Sequence, residues 1–317
     1  MSLEETLTLI NYICSPFNLV YGLFSFFTST LLLYICLTKC DTKSTEIRLI
    51  FIFCFIEYIS GIEFFFLGLM KLIYGHGIFA PNNLTCKFTG FLILWTTRVD
   101  IISVSILATL RYLIVCHKKE VKLLYWLITL FLSFGLITII YCLGIYTNDS
   151  GPSPSYLYCQ PFTSPGMIGY VVSIIIPFAF IIPCWLTTFC YFSVGWEANK
   201  QLNNMKQEAI NTGDSNLLRA ITNQKIKLVT QLILVFVLYN VNFSLSYVTW
   251  ILRFAIGYKR PPEMDAVISV SANFTIAINP VITIIFQPDI NNEVKFFFVK
   301  MSAKYKSILN RINIFGN

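Results

Sequence analysis

The sequence predicts an all-α membrane protein, a seven-transmembrane helix bundle with its N-terminus outside and a short amphipathic helix after the seventh span. Three observations predict it. Only 12% of the 317 residues are charged while 56% are hydrophobic, and the mean hydropathy is +0.69; a soluble domain carries roughly 25% charged residues. The apolar residues fall in seven blocks, each about as long as the roughly 20 residues that cross a hydrocarbon core. The basic residues collect in alternate gaps between those blocks.

The blocks run over 16–38, 47–72, 87–116, 122–146, 168–195, 226–256 and 264–287. Each is expected to be helical, because an isolated segment in lipid must satisfy its own backbone polar groups. The third carries Arg98 and Asp100, which lower its hydropathy. Residues 1–15 are expected outside as a short N-terminus, 16–287 as the bundle, and 288–317 as a cytoplasmic tail. Met1 to Asn11 has two acids and no base, so it does not read as a secretory signal, and the first span is expected to act as its own insertion signal. No internal repeat or Gly/Ser linker divides the chain.

Orientation follows from Lys and Arg. Seventeen lie in the gaps after spans 1, 3 and 5 and in the tail, whereas Lys71, Lys87, Arg253, Lys259 and Arg260 are the five on the other side. The positive-inside bias places the N-terminus outside and the tail in the cytoplasm. Read this way, the net charge of +7 reports orientation rather than a nucleic-acid partner. Two glycosylation sequons, at Asn83 and Asn148, fall in expected outer loops; those at Asn242 and Asn273 lie inside spans, out of reach of modification. Of ten cysteines, Cys86 and Cys159 both fall on the outer, oxidising side. They are either a disulfide tying the loop after span 4 to the top of span 3, or two unpaired thiols.

The spacing of several residues resembles that of rhodopsin-like (class A) G-protein-coupled receptors, over most of the chain. Cys86 is followed 25 residues later by Arg111 in Leu110-Arg111-Tyr112, as the family places its disulfide Cys and its inner Arg-Tyr pair. Span 7 ends in Asn279-Pro280-Val281-Ile282-Thr283, similar to Asn-Pro-x-x-Tyr. Pro183 and Tyr191 match the family's span 5 pair, Glu57 to Gly61 resembles Asp-x-x-x-Gly, and Phe236 stands where the family has a switch Phe. Asn291 to Lys300, with Phe296, Phe297 and Phe298, reads as an amphipathic helix on the inner leaflet. The departures are Leu110 in place of an acid, Asn240 and Asn242 in place of Trp and Pro, and Thr283 in place of Tyr. They resemble the drift of divergent branches such as chemosensory receptors. Read without the family, Arg111 is an ordinary positive-inside anchor.

The resemblance implies a disulfide between Cys86 and Cys159. It also implies a heterotrimeric G protein as partner, with Arg111, Tyr112, Tyr191, Phe236, Asn279 and Pro280 as coupling and switch residues. The acid before Arg111 is missing, so basal activity is expected, and Leu110→Asp is expected to reduce it. Intramembrane charges face the bundle interior and mark function. Glu57, Asp100 and Asn279 are read as an ion or proton site, with sodium as the candidate ion, because two close carboxylates cannot both ionise cheaply. The alternative is an internal pairing of Arg98 with Asp100 or Glu63.

Ile93, Arg98, Asn240 and Asn273 are candidate lining residues of a ligand pocket; the amides alternatively bond helix to helix. No lysine lies between Glu263 and Gln287, and Asn273 holds the position of a retinal lysine, so no retinal cofactor is expected. Ile93 stands where amine receptors carry Asp, which argues against an amine. The apolar run Phe91–Trp95 suits a small hydrophobic or neutral ligand, while Arg98, if unpaired, would meet an acidic group. His76 and His117 sit near span ends on opposite sides and form no metal pair. No phosphate loop, zinc spacing or nucleophile triad points to an enzyme. The expectation is a multi-pass receptor in the cell membrane for an unidentified extracellular ligand. The alternatives are a transporter or conductor using Glu57, Arg98 and Asp100, disfavoured by the lack of paired repeats, and a chemosensory channel with its N-terminus inside, disfavoured by the charge bias.

Overall fold

A computed structural model describes residues 2–40, 43–80, 83–146, 150–161 and 167–315. Seven of its helical spans are long and apolar enough to cross a membrane. The first, α1 (Leu3–Thr38), starts well before position 16. The reason is a capping box that sequence hydropathy does not register: Ser2 Oγ accepts from Glu5 N at 3.2 Å while Ser2 N donates to Glu5 Oε2 at 2.7 Å. Most of the segment expected as an external N-terminus is therefore the opening turns of α1.

α2 (Thr45–Tyr74) lies close against α1. Small residues permit the approach: α1 buries Ser15, Gly22, Ser25 and Ser29 on one stripe. A Cβ on Gly61 would sit 2.7 Å from Phe26 N, and one on Gly68 2.7 Å from Leu19 N, so only backbone-to-backbone packing fits there. α3 (Leu84–His117) is the central helix, with half of its apolar window buried. α4 (Leu123–Tyr146) is peripheral and mostly exposed to the lipid side. A two-stranded antiparallel hairpin follows, β1 (Ser150–Pro152) and β2 (Cys159–Pro161), with Gly151 opposite Gln160. Cys86 and Cys159 form a disulfide that fastens the hairpin to α3.

α5 (Met167–Thr212) runs well past position 195, and α6 (Ser215–Phe236) begins well before 226. The stretch expected as a long inner loop is thus the continuation of two helices. Gly213, at φ +70, makes the turn, and Asp214 caps α6 by accepting from Asn216 N and Leu217 N at 3.0 Å each. The sixth span continues through a π-helical segment, Val237–Val241, into α7 (Asn242–Ile256). Where the family has Pro to bend this span, the chain has a π-bulge, another recognised source of kinks. α8 (Pro262–Phe286) is the seventh span, with Pro280 inside it. α9 (Pro288–Phe315) follows after Gln287 and is longer than the expected Asn291–Lys300 helix. Its Ile290 and Val294 pack under α1 and α2, while Phe296 and Phe298 are exposed.

Candidate functional site

Three polar features lie along the bundle axis, from the outer end to the inner. The outer one is a cavity open at its mouth, roofed by Tyr158, Gln160 and Pro161 of the hairpin region and walled by α3, α4, α5, α7 and α8. The roof is fixed at two points. One is the disulfide. The other is Asp265, in the first turn of α8 and fully buried, which accepts from Ser155 N at 3.1 Å, Ser155 Oγ at 2.6 Å, Tyr158 Oη at 3.2 Å and Arg260 Nη1 at 2.8 Å. Burial, and the carboxylate beside it, push the Tyr158 phenol well above its ordinary range. Lys71 is a further tie: its ammonium is buried, donates to the Tyr156 carbonyl and lies 4.5 Å from the centre of the Phe79 ring. Neither Asp265 nor Lys71 stood out in the sequence, because an acid starting a helix and a base ending one read as ordinary end charges.

Of the four expected pocket residues, Ile93, Arg98 and Asn273 line this cavity. Asn240 does not. It is buried between helices, where its amide donates to Thr188 Oγ1 on α5; the π-bulge carries it away from the cavity wall. Asn242 bonds Thr275 Oγ1 at 3.0 Å, tying the sixth span to α8. Asn273 also donates to Asn18 Oδ1 on α1 at 2.9 Å. The Phe91–Trp95 run divides by face: Ile93 and Leu94 reach the cavity, whereas Trp95 turns to α4 and donates to Thr138 Oγ1 at 2.8 Å.

The alternative pairing of Arg98 with Asp100 or Glu63 is absent among the described residues. Glu63 accepts from Thr96 Oγ1 at 2.9 Å, and Asp100 accepts from Asn279 Nδ2 at 2.9 Å on another face of α3. Residues two apart on a helix point in different directions. Arg98 lies instead over the Phe180 ring and donates to the Tyr141 hydroxyl.

The middle feature joins Asp100, Asn279 and Tyr239, whose hydroxyl donates to Asn279 Oδ1 at 2.7 Å. Glu57 is buried nearby, and its Oε2 has no partner. It lines a small inner cavity together with Asn279, Tyr191, Tyr239 and Thr283. All three residues of the expected ion site are thus at one level of the bundle. Pro280, buried beside Asn279, loosens α8 there. Phe236 is not part of this column: it is 39% exposed on the outside of the bundle. The inward face of the sixth span runs through Val235, Tyr239 and Phe243 instead, one residue out of step with Phe236.

The inner feature is Arg111. Its Nε donates to Glu46 Oε1 at 2.7 Å, Nη1 to Tyr191 Oη at 2.9 Å and Nη2 to Gln287 Oε1 at 2.7 Å. One guanidinium thereby joins α3 to α2, to α5 and to the turn between α8 and α9. Leu110, in the place of the family's acid, is buried in apolar packing. The carboxylate comes from Glu46. Tyr112 faces elsewhere, bonding His117 Nε2 at 2.9 Å and contacting the Phe189 ring.

No protein-family model matches the chain. A stretch of 122 residues, 38% of the chain, is 24% identical to melatonin receptor type 1B-A of Danio rerio and spans 42% of that receptor's length. The crystal structure of squid rhodopsin superposes with a TM-score of 0.66 at 15% identity, covering 93% of this chain and 87% of that one. The chain has the seven-helix fold of squid rhodopsin. Within that rhodopsin-like frame the cavity, the Asn279 column and the Arg111 cluster occupy successive levels of one polytopic membrane protein. Asn83 is exposed at the start of α3; Asn148 lies outside the described residues.

Proposed function

We propose that the protein is a G-protein-coupled receptor of the cell membrane, which converts occupation of the outer cavity by an extracellular ligand into activation of a heterotrimeric G protein. The observation that carries this reading is the pairing, in one rhodopsin-like bundle, of a roofed outer cavity with an inner arginine bonded to three other elements. A ligand that favours one packing of α5, the sixth span and α8 shifts the population toward it, by no more than its differential affinity for the two packings. Opening the inner face requires the Arg111 bonds to Glu46, Tyr191 and Gln287 to exchange. The π-bulge gives the sixth span a place to bend, and Tyr239 links that bulge to Asn279 and Asp100. The α5–α6 helical hairpin and the 115–121 turn form the docking face for the G protein.

Glu57, Asp100 and Asn279 hold a sodium ion or a shared proton in this reading. Asn273, in the place of a retinal lysine, supports a diffusible ligand rather than retinal, and Ile93 supports a non-amine one. Asn83 is the glycosylation site the reading favours. The test is nucleotide exchange on a panel of purified G proteins reconstituted with the receptor. Exchange above that of empty vesicles, lost in Arg111→Ala, is the expected result. Exchange on every member of the panel equal to the empty-vesicle rate, with and without Arg111, overturns the reading.

A further inference from the structure

Arg98 is a cation buried to 4% exposure at the floor of the outer cavity. Among the described residues no carboxylate lies within ion-pair distance of it. Its neighbours are the Phe180 ring and the Tyr141 hydroxyl, and its Nε has no hydrogen-bond partner. A buried guanidinium without a counter-ion is costly, and the cost falls sharply when an anion supplies the missing charge. The rest of the cavity is apolar or neutral: Ile93, Leu94, Ile176 and Phe243 form much of the wall. Asp100 is engaged with Asn279, Asp265 with Arg260, Ser155 and Tyr158, and Glu63 with Thr96.

A second observation is independent of Arg98. A wider vestibule of about 1080 Å³ lies above the cavity and shares Gln160 and Trp250 with it. Arg253, Lys259 and Arg260 line that vestibule; among the described residues no acid is in its lining, and of the three Arg260 is ion-paired, to Asp265. A mouth of one sign concentrates ligands of the opposite sign and speeds their entry.

We propose that the outer cavity binds a small organic carboxylate with an apolar body, its carboxylate seated on Arg98 and its body against Ile93, Ile176 and Phe243. This deepens the receptor reading and rests on that cavity being the ligand site. The planar guanidinium suits two-point contact with a carboxylate. Tyr141 is a positioning residue that holds the Arg98 fork toward the cavity. Arg253 and Lys259 steer the anion inward.

The experiment uses the full chain in nanodiscs, without G protein, and reads the shift in melting temperature by tryptophan fluorescence. The probes are 3-phenylpropionate, 3-phenylpropanol and 3-phenylpropylamine, which share one body and differ in charge, at constant ionic strength. The carboxylate is expected to stabilise the protein at concentrations at least tenfold lower than the alcohol, and the amine not to stabilise it. Arg98→Gln is expected to abolish the preference for acid over alcohol, and Arg98→Lys to retain part of it. Arg253→Ala with Lys259→Ala is expected to weaken carboxylate binding in low salt and leave it unchanged in high salt. If Arg98→Gln fails to fold, the wild-type comparison of the three probes and the vestibule variant decide. Equal stabilisation by acid and alcohol, no stabilisation by any probe, or an acid preference that survives Arg98→Gln overturns the proposal. Because no G protein is present, carboxylate binding without nucleotide exchange would overturn the coupling reading and leave this one standing.

Discussion

Removing the Glu46 charge is the sharpest perturbation of the inner face. Glu46 Oε1 is 2.7 Å from Arg111 Nε, and the two side chains are only 22% and 16% exposed. A hydrogen bond to a charged partner contributes about 1.5–3 kcal/mol, more than a surface ion pair. Glu46→Gln keeps the shape and one acceptor oxygen, so about half of that, roughly 0.75–1.5 kcal/mol, is lost from the closed packing alone. Arg111 retains Tyr191 and Gln287. A bias of about 1.4 kcal/mol is tenfold in an equilibrium constant, so ligand-free nucleotide exchange in reconstituted receptor is expected to rise several-fold to tenfold while the open state is rare. The same variant is expected to melt at a lower temperature in the absence of G protein. Ligand-free exchange equal to the parent, at matched receptor density and with a lowered melting temperature, would refute the assignment of Glu46 as the restraint. The sequence places no acid beside Arg111 at position 110, and the expectation of basal activity rests on that; in the folded chain Glu46 of α2 supplies a carboxylate to Arg111.

Leu110→Asp is expected to destabilise by several kcal/mol rather than restore a restraint, because Leu110 is 1% exposed in apolar packing and a carboxylate there finds no partner; surface expression and melting temperature measure it. Gly61→Leu forces side-chain atoms into the backbone at Phe26, 2.7 Å from the first added carbon, and is expected to abolish folded protein on size exclusion, with Gly135→Leu, where the space is open, as the tolerated control. Asp265→Asn keeps one acceptor oxygen and replaces the other with an NH2 that faces donors, so two of the four bonds are lost; a loss of about 2–3 kcal/mol and faster cleavage of the outer hairpin by protease are expected, and an unchanged cleavage rate would remove Asp265 as the second anchor of the roof. Stability of the parent is expected to rise with sodium over choline, and Glu57→Gln to erase the difference; parent and variant melting alike in both salts would dismiss the ion site.

The seven crossings were legible because they are local facts. A span in lipid satisfies its own backbone, so length and hydropathy suffice to find it. Helix ends were less legible: the Ser2–Glu5 box and the Asp214 cap are polar signals outside the hydropathy window, which is why α1, α5 and α6 are longer than expected. At the candidate site, Arg98, Ile93, Asn273, Glu57, Asp100 and Asn279 were visible as polar or aligned positions inside apolar blocks. Phe236 and Asn240 were misplaced because the π-bulge at Val237–Val241 breaks the regular helical register on which such positions are projected.

The sequence by itself determined the seven-helix class of the fold, the positions of its spans, and that Glu57, Arg98 and Asp100 lie inside them. Only the tertiary structure decided what those charges meet. Glu46 stands 65 positions from Arg111 and Gln287 stands 176 from it, and nothing in either stretch marks it as a partner. Arg98 and Asp100 are two residues apart, yet one opens onto the outer cavity and the other onto α8. The physical reason is the same in each case. Crossing a bilayer is a requirement that one segment meets alone, whereas the neutralisation of a buried charge depends on which helices pack beside it.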